Sequence, residues 1–185
     1  MDLDNPTWVN MVLTFWFQDL KPAQWFRRDE AVDTAIRLRF LAVHTTIAVT
    51  ADAALLRNAD TALAAIIVLD QFSRNIFRGD RRAFATDAKA LTLAIAAVDR
   101  GLDQLLPRDQ RLFVYLPFEH SEDALMQVRS VALIGGLGDA ELTRYADAHK
   151  VIIDRFGRFP HRNDVLGRET TPEEAAFLKE PMSSF

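Results

Sequence analysis

Apolar residues recur at helical spacing in one segment of this chain after another, and this periodicity limits the possible folds more than any other feature. Three stripes are clear: Val32, Ile36, Phe40, Val43 and Ile47; Phe84, Ala88, Leu91, Ile95 and Val98; and Leu142, Tyr145, His149, Ile152 and Phe156. Side chains three and four residues apart share one face of a helix. No stretch alternates with period two, and glycine and proline are scarce, with seven of each. We therefore predict an all-α fold of about eight helices, whose short connections make neighbours antiparallel.

The size of the chain predicts one helical domain over residues 1–185. Hydrophobic residues make up 49% and charged residues 26%, a balance that excludes wholesale disorder. The net charge of −4 argues against nucleic acid or an anionic membrane surface as a partner. The chain has no cysteine, which excludes disulfides and thiol chemistry.

The first residues are acidic and lack the basic start of a secretory signal. The longest uncharged apolar run in the middle of the chain, residues 62–69, is too short to span a bilayer. These observations predict a cytoplasmic protein that does not use a membrane as a partner.

The predicted helix over residues 61–77 is apolar on two opposite sides, which is typical of a helix at the centre of a fold. Asp70 and Arg74 nevertheless lie in the middle of one apolar side. They are four residues apart with the acid first, the favoured order for an ion pair, and a buried charge needs a partner. We therefore predict that this central helix is buried and that Asp70 pairs with Arg74.

The segment 69–79 is the first of three polar segments that are candidates for a site. Asp70, Arg74 and Arg78 share one helical face, and Asn75 lies beside them. The four residues are candidate ligand-binding groups for an anion. A structural ion pair that fixes helix packing is the alternative.

The second polar segment is 117–123, where Glu119 and His120 are candidate acid/base catalysts. Ser121 is a candidate N-cap for the next helix, since two acidic residues follow it. Before this segment, residues 112–116 are predicted to form a short helix that ends ahead of Pro117. A site and plain scaffolding remain equally open for this segment.

The third polar segment, 156–168, combines arginine, histidine and asparagine in a loop that contains Gly157 and Pro160. Its candidate ligand-binding residues are Arg158, Arg162, Asn163 and Arg168, and His161 is a further candidate catalyst. Guanidinium forks and imidazoles suit phosphate or carboxylate. His149 and His44 lie on or beside apolar stripes and are interpreted as structural.

Known catalytic motifs are not present. The sequence has no glycine-rich phosphate loop, no His-Glu-x-x-His and no Gly-x-Ser-x-Gly. The four histidines are scattered, so no metal site is predicted and no cofactor is expected.

Several sequence blocks resemble those of a mainly bacterial family that is numbered 924 among the domains of unknown function. The blocks are LDQFSRNIFRG, FATDAKAL, LPFEHSED and RFGRFPHRNDVLGRETTPEE, with FWF near the start, the pair Trp25-Phe26, and Ser183-Ser184-Phe185 at the end. Where family members have a tryptophan ahead of the central helix, this chain has Ala53-Ala54-Leu55-Leu56. The resemblance covers nearly the whole chain.

The resemblance implies an all-helical, tetratricopeptide-like fold and no established activity. It also draws attention to the polar positions of those blocks. These are Asp70, Gln71, Arg74, Asn75, Arg78, Asp87, Glu119, His120, Ser121, Glu122, His149, Arg155, Arg158, His161, Arg162, Asn163 and Arg168.

Two hypotheses for the function follow. The first is a small-ligand-binding protein or enzyme that acts on an anionic metabolite. The second is a tetratricopeptide-like module that binds a peptide or protein partner. A ligand site should gather Asp70, Arg74, Glu119, His120, Arg158 and His161, whereas a module should spread its unusual residues along a groove.

Overall fold

The computed structural model describes residues 6–184, and 74% of those residues are helical. No strand occurs among those residues, and eight continuous helical runs span seven or more residues. The predicted all-α fold of about eight helices is confirmed. The tetratricopeptide-like arrangement stays a prediction, and Phe185 of the terminal Ser-Ser-Phe lies outside the described residues.

The α-helices are numbered in chain order. They are α1 (Thr7–Thr14), α2 (Pro22–Trp25), α3 (Glu30–Val49), α4 (Asp52–Leu55), α5 (Ala59–Ile67), α6 (Ser73–Ile76), α7 (Asp87–Asp99), α8 (Arg108–Glu119), α9 (Ala124–Gly135), α10 (Ala140–Phe156), α11 (Asn163–Leu166) and α12 (Pro172–Phe177). Wider π-helical turns follow α1 at Phe15–Asp19 and join α5 to α6 at Val68–Phe72. Short 3₁₀ helices occupy Arg81–Phe84, Asp103–Leu105 and Pro160–Arg162.

The described residues fall into two compact units. Unit 1 comprises the chain up to Arg78 together with Arg82–Pro117, and unit 2 comprises Gly79–Arg81 and the chain from Phe118 onward. One domain over residues 1–185 stays a prediction. No described helix is both long enough and apolar enough to cross a membrane.

The core of unit 1 is the continuous run formed by α5, the π turn and α6. Every side chain from Leu63 to Leu69 has no solvent exposure, which confirms the predicted central helix. Aromatic rings surround it: the centroid of Phe72 lies 4.8 Å from that of Phe40 and 5.5 Å from that of Trp16. Burial of this apolar surface is the main source of stability for the unit.

The π turn in this central run is not visible in the apolar pattern. A π turn shifts the backbone hydrogen-bond register and leaves carbonyls that need other donors. Thr86 Oγ1 donates to the carbonyl of Leu69 at 2.6 Å. At the end of α6, Arg37 donates from Nε and Nη2 to the carbonyl of Ile76, at 3.1 and 2.9 Å. Side chains from outside the run, Thr86 just before α7 and Arg37 of α3, therefore satisfy two of its carbonyls.

Unit 2 is built on the packed helices α9 and α10. Asp139 caps α10 by accepting from the backbone N–H groups of Glu141 and Leu142. Gly157 ends α10 in the left-handed conformation with φ of 68°, which is the usual conformation of a glycine after the last helical turn. Beyond it, Phe159 is fully buried and packs with Ile152 and Ile153 of α10.

Two predictions about the start of unit 2 are wrong. Helix α8 does not end before Pro117 but continues to Glu119. Phe118 is fully buried, and Gln127 Nε2 donates to the carbonyls of Glu119 and Ser121, both at 2.7 Å. Burial and this side-chain cap therefore outweigh the preference of a residue before proline for extended backbone.

The N-cap of α9 is the second correction. The cap is Asp123 and not Ser121, because the Asp123 carboxylate accepts from Leu125 N at 2.7 Å and Met126 N at 3.2 Å. Ser121 Oγ instead accepts from Asp123 N at 3.2 Å.

Candidate functional site

The predicted ion pair of the central helix is confirmed, with a third member from α7. Arg74 Nη1 lies 3.1 Å from Asp70 Oδ1, and the Asp70 residue is 1% exposed. The same guanidinium donates to both carboxylate oxygens of Asp87, at 3.0 and 3.1 Å. Arg74 therefore balances two acids inside unit 1.

The other two candidates of the first segment converge on a different acid, Asp33 of α3. Asn75 Nδ2 donates to Asp33 Oδ1 at 2.7 Å, and Arg78 donates from Nε and Nη2 at 2.6 and 2.8 Å. Burial opposes ionisation of Asp33, but hydrogen bonds from Arg78 and Asn75 outweigh it and hold the pKa of the carboxyl below its usual value. The first polar segment is thus engaged in two carboxylate clusters.

In unit 2, Arg158 is held by a glutamate of the last helix. It donates from Nε and Nη2 to the carboxylate of Glu174 at 2.7 and 2.9 Å, and from Nη2 to the carbonyl of Glu169 at 2.8 Å. Glu174 also accepts from Thr171 N at 2.8 Å as part of a capping box. Hydrogen bonding from Arg158 is the main reason that the pKa of Glu174 falls to about 2.

A second fork joins Arg168 to Glu122 and fixes the loop between α10 and α11. Arg168 donates to the two oxygens of Glu122 at 2.7 and 3.1 Å, to Asn163 Oδ1 at 3.0 Å and to the Phe159 carbonyl at 2.9 Å. Glu122 also accepts from the Phe159 N–H at 2.8 Å. Asn163 is fully buried and donates to Glu174 at 3.3 Å. The two forks therefore share this asparagine.

The carboxylates that neutralise these two arginines are Glu174 and Glu122. Burial raises the pKa of Glu122, but the Arg168 hydrogen bonds outweigh that effect and lower it overall. Arg158 and Arg168 are thereby committed to holding the loop.

The remaining candidates of unit 2 gather around the ring of Phe159. We call Glu119, His120, His149, His161 and Arg162 the imidazole cluster. The Phe159 ring centroid lies 5.6 Å from that of His149 and 5.6 Å from that of His161. The guanidinium carbon of Arg162 lies 4.5 Å from the Phe159 centroid. The negative face of the ring suits the guanidinium of Arg162, and the tilted and edge-on contacts suit the two imidazoles.

The other members reach the cluster through His149. The rings of His120 and His149 are 6.3 Å apart, and Glu119 Oε1 lies 3.5 Å from His149 Nδ1. Glu119, His149 and Arg162 are buried, while His120 and His161 are partly exposed. The structure thus brings together the three predicted catalytic candidates and Arg162, and it gives two of the imidazoles access to solvent.

His149 is electrically neutral in this setting. Burial lowers its pKa to about 3, and electrostatic repulsion from His120, Arg162 and His161 acts in the same direction. The His149 Nδ1–H donates to the Tyr145 carbonyl at 2.8 Å. The contact with Glu119 is therefore not an ion pair at neutral pH.

Two members of this arrangement are not predicted from the sequence. The apolar stripe of α10 predicts a structural role for His149. The residue is buried, as that role requires, but it also connects Glu119 with His120. Phe159 carries no signal beyond its apolar character. The one available hint in the sequence is the position of His149. It lies on the apolar stripe of α10, close to the arginine-rich loop that follows this helix. Among the described residues, no group of three or more histidine, aspartate or glutamate side chains is placed to hold a metal ion.

Comparison with known proteins identifies relatives but no activity. Residues 12–182 match the family model described as a bacterial protein of unknown function. A solved structure of a protein of unknown function from Agrobacterium tumefaciens is similar, with 41% sequence identity and a TM-score of 0.88. The match covers 92% of this chain and 96% of that one. No curated protein matches.

Proposed function

The chain belongs to the bacterial family of unknown function DUF924, and we propose that it binds a small anionic metabolite at the imidazole cluster of unit 2. The observation that carries the proposal is the convergence of two imidazoles and one guanidinium on a single buried ring, Phe159, with the third imidazole, His120, beside His149. The cluster contains one carboxylate, Glu119, against these four nitrogen groups. Its chemistry therefore favours an anion with acceptor oxygens over a cation.

The partly exposed histidines are the groups that meet the ligand. His120 and His161 reach solvent, whereas His149 and Glu119 are 4% and 5% exposed. Imidazole both donates and accepts protons near neutral pH, so His120 and His161 are suited to hydrogen-bond a phosphate or carboxylate. Arg162 adds a charge that does not titrate, and its position over the Phe159 ring fixes its direction.

The two arginine forks support this assignment. Arg158–Glu174 and Arg168–Glu122 hold the chain on either side of His161 and Arg162. A binding site on a loop needs such support, because loosely held side chains lose affinity to ordering entropy. In an enzyme, His120, His161 and Glu119 would be the acid/base groups acting on the bound anion.

The test is thermal stabilisation by anions at constant ionic strength. Inorganic phosphate and a dicarboxylate, malonate, are each titrated against chloride at pH 7. At ten times Kd, linkage adds about 1.4 kcal/mol, which raises Tm by roughly 3–6 °C for a chain of this size. His120→Gln and His161→Gln should each remove that shift while leaving the ligand-free Tm close to wild type, since both side chains reach solvent.

Arg144→Gln is the matched control, because Arg144 lies in unit 2 with its side chain 60% exposed and paired to Glu141 at 3.9 Å. It should retain the full anion effect. The alternative hypothesis, a tetratricopeptide-like module for a peptide or protein, predicts no specific anion effect in any variant. Equal stabilisation of the wild type and the two histidine variants by anions would also end the proposal.

A further inference from the structure

The outer face of α3 carries a stripe of residues without charge, which we call the α3 stripe. Its positions recur at spacings of four, three, four, three and four residues: Ala31, Ala35, Leu38, Ala42, Thr45 and Val49. They lie on the side of the helix opposite its buried residues, among which are Ile36 and Phe40. Because the outer face of a surface helix normally carries charged residues, this pattern indicates a contact surface.

Large apolar side chains of the α3 stripe are open to solvent. Val49 is 84% exposed and Leu38 is 81% exposed, the two highest values for large apolar residues in the described part of the chain. Leu41, which flanks the stripe, is 41% exposed. Thr45 donates its hydroxyl to the Leu41 carbonyl at 3.0 Å, so the polar group of the stripe has a partner within its own helix. The stripe can therefore be covered without leaving a polar group unsatisfied.

The charged residues beside the α3 stripe are turned toward other parts of unit 1. Arg37 donates to the Ile76 carbonyl at 3.1 and 2.9 Å, and Arg39 Nη1 lies 3.4 Å from Asp19 Oδ2. The Arg39 guanidinium also lies over the Phe15 ring, 4.6 Å from the ring centroid. Charge repulsion therefore does not oppose contact between the stripes of two α3 helices.

The spacing and the residue sizes indicate what covers the stripe. Alternate spacings of four and three are those of a coiled coil, in which a second helix stays in contact along the whole stripe. In an antiparallel pair of α3 helices, the first position faces the last, the second faces the fifth and the third faces the fourth. This pairing matches Ala31 with Val49, Ala35 with Thr45 and Leu38 with Ala42. Every match places an alanine against a larger residue, whereas a parallel pair would set alanine against alanine and leave gaps.

We propose that the partner is a second copy of this chain, and that two α3 helices pair antiparallel through the α3 stripe about a two-fold axis. From Ala31 to Val49 the helix rises about 27 Å, so a strip ~15 Å wide covers about 400 Å² on each partner. The total of roughly 800–1,000 Å² lies near the lower limit of specific interfaces, which makes the dimer weak and reversible. The α3 stripe belongs to unit 1 and the imidazole cluster to unit 2, so neither proposal depends on the other.

The first measurement is sedimentation velocity of the full chain at concentrations from about 1 to about 500 µM, a range that brackets a weak dimer. The weight-average mass should rise from 20.9 kDa towards twice that value. Leu38→Glu places one carboxylate from each copy near the two-fold axis, so it should raise the dissociation constant at least about tenfold. Its Tm should not change, because the side chain is exposed. Leu125→Glu is the matched control, since Leu125 is 74% exposed on α9 of unit 2, and it should dimerise like the wild type.

Cysteine cross-linking tests the orientation, and the chain suits it because it contains no cysteine. A mixture of Ala31→Cys and Val49→Cys chains should form disulfide-linked dimers under mild oxidation. Either variant alone should form few, since identical positions of an antiparallel pair lie about 27 Å apart. Efficient cross-linking of each variant with itself would indicate a parallel pair and would overturn the proposal. So would a monomer mass at the highest concentration, or equal weakening of the dimer by Leu38→Glu and Leu125→Glu.

Discussion

Replacement of Arg74 by methionine should be among the most damaging single changes in unit 1. Its guanidinium lies 3.1 Å from Asp70 Oδ1 and 3.0 Å from Asp87 Oδ1. Two unit charges at that distance attract by about 5 kcal/mol at an effective dielectric constant near 20. Loss of hydration offsets much of this in the wild type. In Arg74→Met, however, the acids keep their desolvation and lose the guanidinium charge, which typically costs about 3–5 kcal/mol.

How the loss of stability divides between the two acids can also be predicted. Asp70 has a side chain that is 1% exposed, whereas that of Asp87 is 22% exposed and lies in the first turn of α7. Asp87 therefore retains water and the favourable helix N-terminus, and Asp70 carries most of the penalty. The double variant Asp70→Leu with Arg74→Met should recover stability to within about 1.5 kcal/mol of wild type.

Urea denaturation at pH 7, followed by far-UV circular dichroism, measures these differences. With a slope of roughly 2 kcal/mol per molar, Arg74→Met should lower the midpoint by about 1.5–2.5 M. Arg27→Met is the control, since that side chain is 72% exposed and should leave the midpoint unchanged. A single variant as stable as wild type would mean that the cluster is hydrated. A double variant as unstable as the single would trace the loss to packing of Arg74 near the Phe84 ring, 5.5 Å away.

Three further changes test other parts of the fold. His149 has a folded-state pKa of about 3, well below the ~6.5 of an unfolded histidine. The unfolded state therefore binds a proton that the folded state does not, and stability should fall as the pH drops from 6.5 towards 3. In His149→Gln, the urea midpoint should decline less steeply across that pH range. Gly157→Ala should cost about 1–2 kcal/mol in the same assay, because φ is 68° there while an added Cβ meets no atom within 4 Å. Thr171→Ala removes the hydroxyl that accepts from Glu174 N at 3.2 Å, so it should lower the free energy of unfolding by about 1 kcal/mol, and an unchanged midpoint would show that the capping box is dispensable.

Features set by neighbours within one helical turn could be predicted from the sequence. The buried central helix follows from residues that are apolar all round, and the Asp70–Arg74 pair follows from a spacing of four. The Thr171 capping box is equally local, since its two partners lie three residues apart. The rule that a helix ends before proline gave the wrong end for α8 at Pro117, because the burial of Phe118 and the amide of Gln127 decide where that helix ends.

Partners far apart in the chain could not be predicted. Arg78 reaches an acid 45 residues away, and Arg168 reaches one 46 residues away. Nothing in a single sequence ranks the 26 acidic residues as partners for a given arginine, because that choice depends on how helices pack. The π turn at Val68–Phe72 could not be predicted for a related reason: the donor that satisfies its Leu69 carbonyl is Thr86, which lies 17 residues further along the chain.

The arginine forks and the imidazole cluster have different chemical roles that bear on one another. Arg158 and Arg168 meet glutamates with bidentate geometry, so the forks lock the loop without needing a ligand. The imidazoles are not held by such forks: His149 and His161 pack on Phe159, and His149 also donates to the Tyr145 carbonyl. A loop held by two charge-assisted forks can keep His161 and Arg162 in place before a ligand arrives, so the entropic cost of ordering these side chains is met by folding and not by binding. A structural function for the forks therefore strengthens the case for a ligand at the histidines.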